Sequence, residues 1–279
     1  MVERIAVVGV GGVGMAHVIA ATRTGGEVTD IVDTNPPTLR RARDQWRNVW
    51  GDVVEEAEPQ AGTRYWRSIQ ELQLAGRGDV ASLVILAVPP AFHEDVTEAA
   101  LKAWPKSHII AEKPLMFIHG SRFAPQSHRL SMSAEWVHHS QAMRARSARS
   151  IGMCFPEPQG DKRRRSWRLP LALEFMPHLL SLTAPFKDIV DMQVTHATQK
   201  AFRIEVETSA GAVTMWGDRI SEPGIYFDEH RYPWENDLFD KQIAARGGAE
   251  ITKMMQAEDI LWRALYAHVV SSSAQVTGS

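Results

Sequence analysis

A single cysteine among 279 residues, Cys154, leaves no partner for an intramolecular disulfide and no set for a multi-cysteine zinc or iron-sulfur site. That usage points to a reducing compartment such as the cytoplasm. An excess of one charge is also missing. Lys and Arg number 31 against 33 Asp and Glu, a net charge of −2, so the basic surplus that holds a protein to nucleic acid is absent. No apolar run approaches the ~20 residues that cross a bilayer. The short run after Met1-Val2-Glu3-Arg4 soon enters glycines, so neither a membrane span nor a signal peptide is expected. None of Asn35, Asn48 and Asn236 opens a glycosylation sequon. There is no internal repeat and no His-Glu-x-x-His pattern, and no catalytic metal is expected.

What is present suffices for a sizeable core: 44% apolar and 23% charged residues over this length make two domains or one large one. The first half alternates apolar runs with helical patterns, the βαβ signature of a parallel sheet covered by helices. Residues 5–8 form the first strand, 11–21 a small-residue helix and 28–33 the second strand. Asn35 stands as a cap, Pro36-Pro37 suits a first helical turn, and Leu39, Ala42 and Trp46 mark the buried stripe of the next helix. Residues 48–62 read as a surface insertion. Ser68-Ile69-Gln70-Glu71 opens a helix with a capping-box pattern, and 81–88 is a near-continuous apolar central strand ended by Pro89-Pro90. Strands at 108–111 and 130–134 complete the sheet.

After about Ala134 the pattern changes. Phe202, Ile204 and Val206 alternate with Arg203, Glu205 and Glu207, and 212–217 runs back after Ser209-Ala210-Gly211, an antiparallel hairpin with one wet face. Further strands are expected at 151–155 and 188–199, and a helix carries Ile251, Met254, Met255, Leu261 and Leu265. The expected domains are therefore 1–134 and 135–279.

The first chemical motif is Gly9-Val10-Gly11-Gly12-Val13-Gly14. It follows a predicted strand, opens a helix, and has Asp33 at the end of the second strand. This is the context a dinucleotide-binding Rossmann fingerprint requires. Gly9 permits the tight turn, Gly11 lets backbone approach a pyrophosphate, Gly14 lets helix and strand pack closely, and the helix N-terminus attracts the anion. Asp33 accepts from the ribose hydroxyls and repels a 2′-phosphate, favouring NAD over NADP. Arg40 and Arg41 lie nearby, where they either blur that preference or are simply solvated.

At Ala111-Glu112-Lys113-Pro114-Leu115 the sequence meets a known pattern. A Rossmann fingerprint, Asp33-Thr34-Asn35-Pro36, then Val88-Pro89-Pro90 with His93, then Glu112-Lys113-Pro114, resembles the glucose-fructose oxidoreductase / inositol dehydrogenase (Gfo/Idh/MocA) family. The resemblance implies an α/β chain: an N-terminal Rossmann domain with a doubly wound parallel sheet, then a C-terminal α+β domain with a mostly antiparallel open sheet that binds substrate and mediates homo-oligomerisation. It implies cofactor contacts at Gly9, Gly11, Gly12, Val13, Gly14, Asp33, Val88, Pro89, His93, Glu112 and Lys113, and allows a cis Lys113-Pro114 bond. A lysine at the carboxyl end of a central strand points into the crevice where such sheets bind ligands and is placed for proton transfer, although a surface pair with Glu112 is the plainer alternative.

In the second half, Ser166-Trp167-Arg168 and Glu174-Phe175-Met176-Pro177-His178 resemble the family segment whose aspartate and histidine, four residues apart, complete a catalytic set with the lysine. On a helix this spacing puts Glu174 and His178 on one face, where the carboxylate can orient the imidazole. The bland reading of His178 is a core histidine. Two departures indicate a remodelled substrate pocket: the aspartate is Glu174, and Ser181 replaces the usual acid three residues after the histidine. The glycines that usually precede the segment are also missing. Glu135, His138, Trp167, Arg168, Lys113 and His178 are the expected substrate contacts. Adjacent His138 and His139, read as strand residues, would face opposite ways. Lys162-Arg163-Arg164-Arg165 is either a solvated loop or a contact for an anionic substrate. Residues 116–128, with Gly120 and Pro125, are expected as a broken helix or loop, and Cys154 as a small core residue.

These features together imply a cytoplasmic NAD-dependent oxidoreductase interconverting a secondary alcohol and a ketone on a small polyhydroxylated substrate, with Lys113, His178 and Glu174 as its catalytic set. Nucleic acid and membrane are not expected partners. An imine reductase using the same cofactor, and a nucleotide-sensing regulator that has lost chemistry, are the alternatives.

Overall fold

The structure, a computed structural model, describes residues 2–50, 53–115, 128–154, 171–246 and 248–277. They fall into two compact units: the described residues up to Glu135 together with those of Asn236–Gly248, and the described residues of Trp136–Glu235 together with those from Ala249 onward.

The first unit is built on strands β1 (Arg4–Val8), β2 (Glu27–Val32), β5 (Arg64–Trp66), β6 (Leu83–Leu86), β7 (His108–Ala111) and β8 (Leu130–Met132). They are hydrogen-bonded in the order β8-β7-β6-β1-β2-β5, and every one of these pairs is parallel. The order reverses between β1 and β6, and the carboxyl ends of strands at such a switch point form a ligand crevice. Ile5, Leu83, Ile85, Ile109 and Ile110 are fully buried, as expected of strands covered on both faces. Helix α1 (Gly12–Arg23) buries everything from Gly14 to Ala21, and Gly14, Ala16, Ala20 and Ala21 are small. Helix α2 (Pro36–Asp44) starts where the Asn35 side chain accepts from the Thr38 N–H. Helix α3 (Ile69–Leu74) is capped by Ser68 Oγ, 3.0 Å from the Glu71 nitrogen, while Glu71 reaches back to the Arg67 N–H at 2.7 Å. Helix α4 (His93–Ala103) follows β6.

The stretch after α2 differs from the sequence expectation. The helix stops at Asp44, Gln45 is extended, and Trp46 opens strand β3 (Trp46–Trp50), paired antiparallel with β4 (Val53–Ala57). Trp46 is buried, as expected, but on a hairpin packed along α1 rather than on the α2 stripe. The alternation of Trp46, Arg47, Asn48 and Val49, with β-prone valines in β4, outweighs the helical spacing once the chain leaves α2.

The second unit holds β9 (Ser150–Cys154), α5 (Leu171–Thr183), β10 (Ile189–Ala197), β11 (Ala201–Thr208), β12 (Gly211–Asp218), β13 (Gly224–Phe227) and β14 (His230–Tyr232). The sheet order is β10-β11-β12-β9-β13-β14, antiparallel except for β12 beside β9. Phe202, Ile204, Val206, Val213 and Met215 point inward under α5, whose Phe175 meets Phe202 edge to face at 6.4 Å. The opposite face carries Arg203, Glu205 and Glu207, the wet side of the expected hairpin. The chain then gives α6 (Leu238–Ala245), which packs with α1 in the first unit, and α7 (Ile251–Thr277). Among the described residues no helix is long and apolar enough to cross a membrane.

Candidate active site

In the first unit the site begins at the glycine turn between β1 and α1. Gly9 has φ +84°, and a Cβ there would stand 2.6 Å from the Ala87 carbonyl oxygen, so only glycine fits. A Cβ on Gly14 would collide with the Gly9 carbonyl, which is how α1 comes so close to β1. By contrast, a Cβ on Gly11 meets nothing within 4 Å, and Gly12 is likewise open apart from Asn48. That bare backbone at a helix N-terminus is a cradle of the shape a pyrophosphate needs. Asp33 is held at its rim: Oδ2 accepts from the Val10 N–H at 2.9 Å and Oδ1 from the Asn35 N–H at 2.8 Å. Two backbone donors fix the carboxylate while leaving lone pairs free for ribose hydroxyls. The cradle and the fixed acid fit a dinucleotide.

The carboxyl end of β7 presents Glu112-Lys113-Pro114, with a cis peptide bond between Lys113 and Pro114. Lys113 is partly exposed, whereas Glu112 is 6% exposed and takes a 2.7 Å hydrogen bond from His17 Nε2 on α1. Burial opposes ionisation of Glu112, but the His17 bond and the nearby Lys113 charge outweigh it and hold its pKa below the ordinary carboxylate value. His17 itself is fully buried, edge-on to Phe239 at 4.5 Å. The sequence reading missed it, although it lies one helical turn after Gly14 on the helix the fingerprint opens.

His93, expected as a cofactor contact, has both ring nitrogens against backbone carbonyls. Its Nδ1 lies 2.6 Å from the Pro114 carbonyl and Nε2 2.7 Å from that of Val88, so neither ring nitrogen remains for a ligand. Burial pushes its pKa down despite these two acceptors. His93 thus ties the loop after β6, with Val88 and Pro89, to the loop after β7.

Glu135, expected as a substrate contact, is buried. It is 8% exposed and receives the Ser133 hydroxyl at 3.2 Å; Ser133 also meets the Gln242 amide at 3.3 Å. Burial first, then the negative charge of Glu112, pushes its pKa up to about 7. Glu112 and Glu135 therefore form a buried carboxylate pair with Lys113 and His17 as the nearby bases.

In the second unit, His178 on α5 is 4% exposed and lies 6.2 Å edge-on from Trp136, which also meets the His139 ring at 6.0 Å and Trp234 at 5.3 Å. Glu174 Oε2 accepts from Arg219 Nη2 at 2.6 Å, and that guanidinium also stands over Phe175. Arg219 was not foreseen; it is 45 positions away in sequence and no local pattern points to it. His138 and His139 lie on and after a 3-10 turn, Glu135–His138, and not on a strand as expected. His139 is buried, its Nδ1 accepting from the Gln141 N–H and its Nε2 donating to the Pro233 carbonyl. His138 is partly buried. Trp167, Arg168 and the 162–165 basic run lie outside the described residues, as does nearly all of 116–128. Cys154 is buried, its thiol pKa raised to about 11, first by burial and then by the Asp218 charge. Among the described residues no three His, Cys, Asp or Glu side chains gather as a metal site.

Comparison with known proteins agrees with the cradle. The sequence profile described as "Oxidoreductase family, NAD-binding Rossmann fold", Gfo/Idh/MocA, matches residues 3–121. No curated protein matches by sequence. Among solved structures, the WlbA (WbpB) dehydrogenase of Thermus thermophilus, in complex with NAD and UDP-GlcNAcA, is similar with a TM-score of 0.67 at 15% identity, covering 95% of this chain and 94% of that one. A myo-inositol dehydrogenase from Corynebacterium glutamicum gives 0.65 at 14% identity, covering 96% and 98%. The UDP-N-acetylglucosamine 3-dehydrogenase GnnA from Acidithiobacillus ferrooxidans gives 0.63 at 17%, covering 96% and 97%. At such identities the likeness speaks for the fold, while the match over residues 3–121 takes in the glycine cradle, Asp33 and Glu112-Lys113-Pro114: this part of the chain matches the NAD-binding Rossmann fold of the Gfo/Idh/MocA oxidoreductase family.

Proposed function

We propose that the protein is an NAD-dependent dehydrogenase that interconverts a secondary alcohol and a ketone on a sugar, cyclitol or nucleotide-sugar substrate. The observation that carries this reading is the carboxyl end of β7, where Lys113 stands beside a buried acid that His17 of the nucleotide-binding helix keeps ionised. The substrate class is supported by the fold shared with enzymes named for inositol and UDP-N-acetylglucosamine.

The glycine cradle and Asp33 would hold NAD, which would supply the acceptor for the hydride of the alcohol carbon. Lys113 Nζ and the His178 imidazole take up the hydroxyl proton in oxidation and return it in reduction, a contribution on the order of 10²–10⁴ in rate. Arg219 keeps Glu174 in place on α5, and Trp136 packs against the His178 ring. Of the expected substrate contacts, Lys113 belongs to the first unit and His138 and His178 to the second, and Glu135 is a buried neighbour of Glu112.

The test is a spectrophotometric screen of NAD reduction over inositols, sugars and UDP-sugars, with NADH oxidation over the matching ketones and over imines. Lys113→Ala is expected to lose turnover by about 10²–10⁴ while still binding NADH. Unchanged turnover in this variant removes Lys113 from the mechanism. Tight NADH binding without turnover on any substrate turns the reading towards a nucleotide sensor.

A further inference from the structure

The β3–β4 hairpin carries a pattern that its own packing does not explain. Its side chains alternate between two faces. Val49 and Val54 point outward at 54% and 49% exposure, while Asn48 is 5% exposed and its cross-strand partner Glu55 keeps only 16% side-chain exposure. A hairpin packed for stability alone would bury its valines and expose its amide and acid.

Glu55 is accounted for. It accepts from Arg23 Nη1 at 2.6 Å on the last turn of α1, and Arg23 also holds Asp240 at 2.7 Å. Asn48 has no such partner: among the described residues its buried Nδ2 donates to nothing, a condition native proteins seldom keep without a use. The nearest feature is the phosphate cradle. Asn48 Oδ1 lies 3.9 Å from where a Cβ of Gly12 would stand, beside the open backbone of Gly11 and at the N-terminus of the 12-residue α1. The two ends of a carboxamide are nearly equal in size, so a half-turn of the group presents a donor to the cradle without moving the strand.

We propose that Asn48 is a cofactor-binding residue supplied by the hairpin, donating its amide N–H to a pyrophosphate oxygen of the dinucleotide at Gly11-Gly12. The proposal rests on the NAD reading and adds to the fingerprint a donor from outside the motif. An anion there satisfies the orphaned amide and receives a charge-assisted bond, stronger than the neutral bond a solvent molecule offers.

The experiment compares the wild-type chain with Asn48→Ala and Asn48→Asp. It measures the Kd of NADH by fluorescence, of ADP-ribose by calorimetry and of adenosine by ligand-observed NMR, with the Tm of each protein. Asn48→Ala should weaken NADH and ADP-ribose by about ten-fold, the size of one hydrogen bond to a charged group, and leave adenosine unchanged. Asn48→Asp, which sets a negative charge against the phosphates, should weaken both further at an unchanged adenosine Kd. Two results overturn the proposal: ADP-ribose binding equal in Asn48→Ala and wild type, or equal weakening of adenosine, which would mark a general disturbance of the site. If the wild-type chain binds neither NADH nor ADP-ribose, the cofactor reading itself falls and this proposal with it.

Discussion

Asp30 in β2 and Glu112 at the end of β7 are both sunk in the same parallel sheet, at 0% and 6% exposure, and they are neutralised in opposite ways. Asp30 is closed off by permanent donors. Its Oδ1 takes the Trp66 indole N–H at 2.8 Å and Arg77 Nε at 3.0 Å, and Oδ2 takes Arg77 Nη2 at 3.2 Å. Glu112 faces groups that can themselves gain or lose a proton: His17 at 2.7 Å, the charge of Lys113 and a second carboxyl, Glu135. An arginine never gives up its proton, so the first arrangement can only hold structure together. The second can hold charge and also redistribute it, which is what a proton-handling site requires.

The comparison breaks most visibly at Asp30. Asp30→Ala leaves Arg77, only 26% exposed, without its partner, and should cost about 3 kcal/mol in denaturant unfolding while the folded protein still binds NADH. Loss of NADH affinity in the folded fraction would show that Asp30 is more than structural. Glu112→Gln sharpens the contrast, since the amide keeps a bond to His17 but not the charge. A smaller loss, about 1 kcal/mol, is expected together with a clear fall in turnover. Stability loss as large as at Asp30 with turnover intact would put the two acids in one class.

The subtlest effect is in pH dependence. Glu135 is raised from an ordinary 4.5 to about 7, so between those values the folded state keeps a proton that the unfolded chain has released. The fold therefore binds more protons than the unfolded chain in that window, and the contribution of Glu135 to stability falls as pH rises from about 4.5 through about 7. Glu135→Gln removes this dependence: its Tm should gain on wild type between pH 5 and 8. Parallel Tm curves over this range would mean that Glu135 ionises in the fold as it does in the unfolded chain. Glu112 acts in the opposite sense, its lowered pKa adding stability above the ordinary carboxylate range that is lost as pH falls through its folded value.

Much of the first unit could be read directly from the residues. The strands β1, β6 and β7 are apolar runs, Asn35 and Ser68 cap the helices they precede, and the glycine spacing names the turn that Gly9 makes with φ +84°. These features are legible because each depends on residues within a turn or two of one another. The hairpin at residues 46–57 was not, because Trp46 continues the helical spacing of Leu39 and Ala42, and only packing along α1 selects the strand. Among the site residues, Asp33 and Lys113 stand at the ends of the predicted strands, whereas His17, Arg219 and the buried state of Glu135 escaped notice. For His93, spacing shows where the residue sits along the chain and not which carbonyls close around its ring.

The sequence by itself determined the local conformations: a glycine turn only glycine can make, a fixed acid after β2, and a lysine and proline after β7. Backbone sterics and hydrogen bonds of short range decide these, and they travel with the residues. The tertiary structure alone decided which charges meet. It brought His17 to Glu112 across 95 positions, Arg219 to Glu174 across 45, and put Glu135 where burial and a neighbouring carboxylate hold back its ionisation. Ionisation depends on solvent exclusion and on charges near in space, and neither exists until the sheet and its helices have closed.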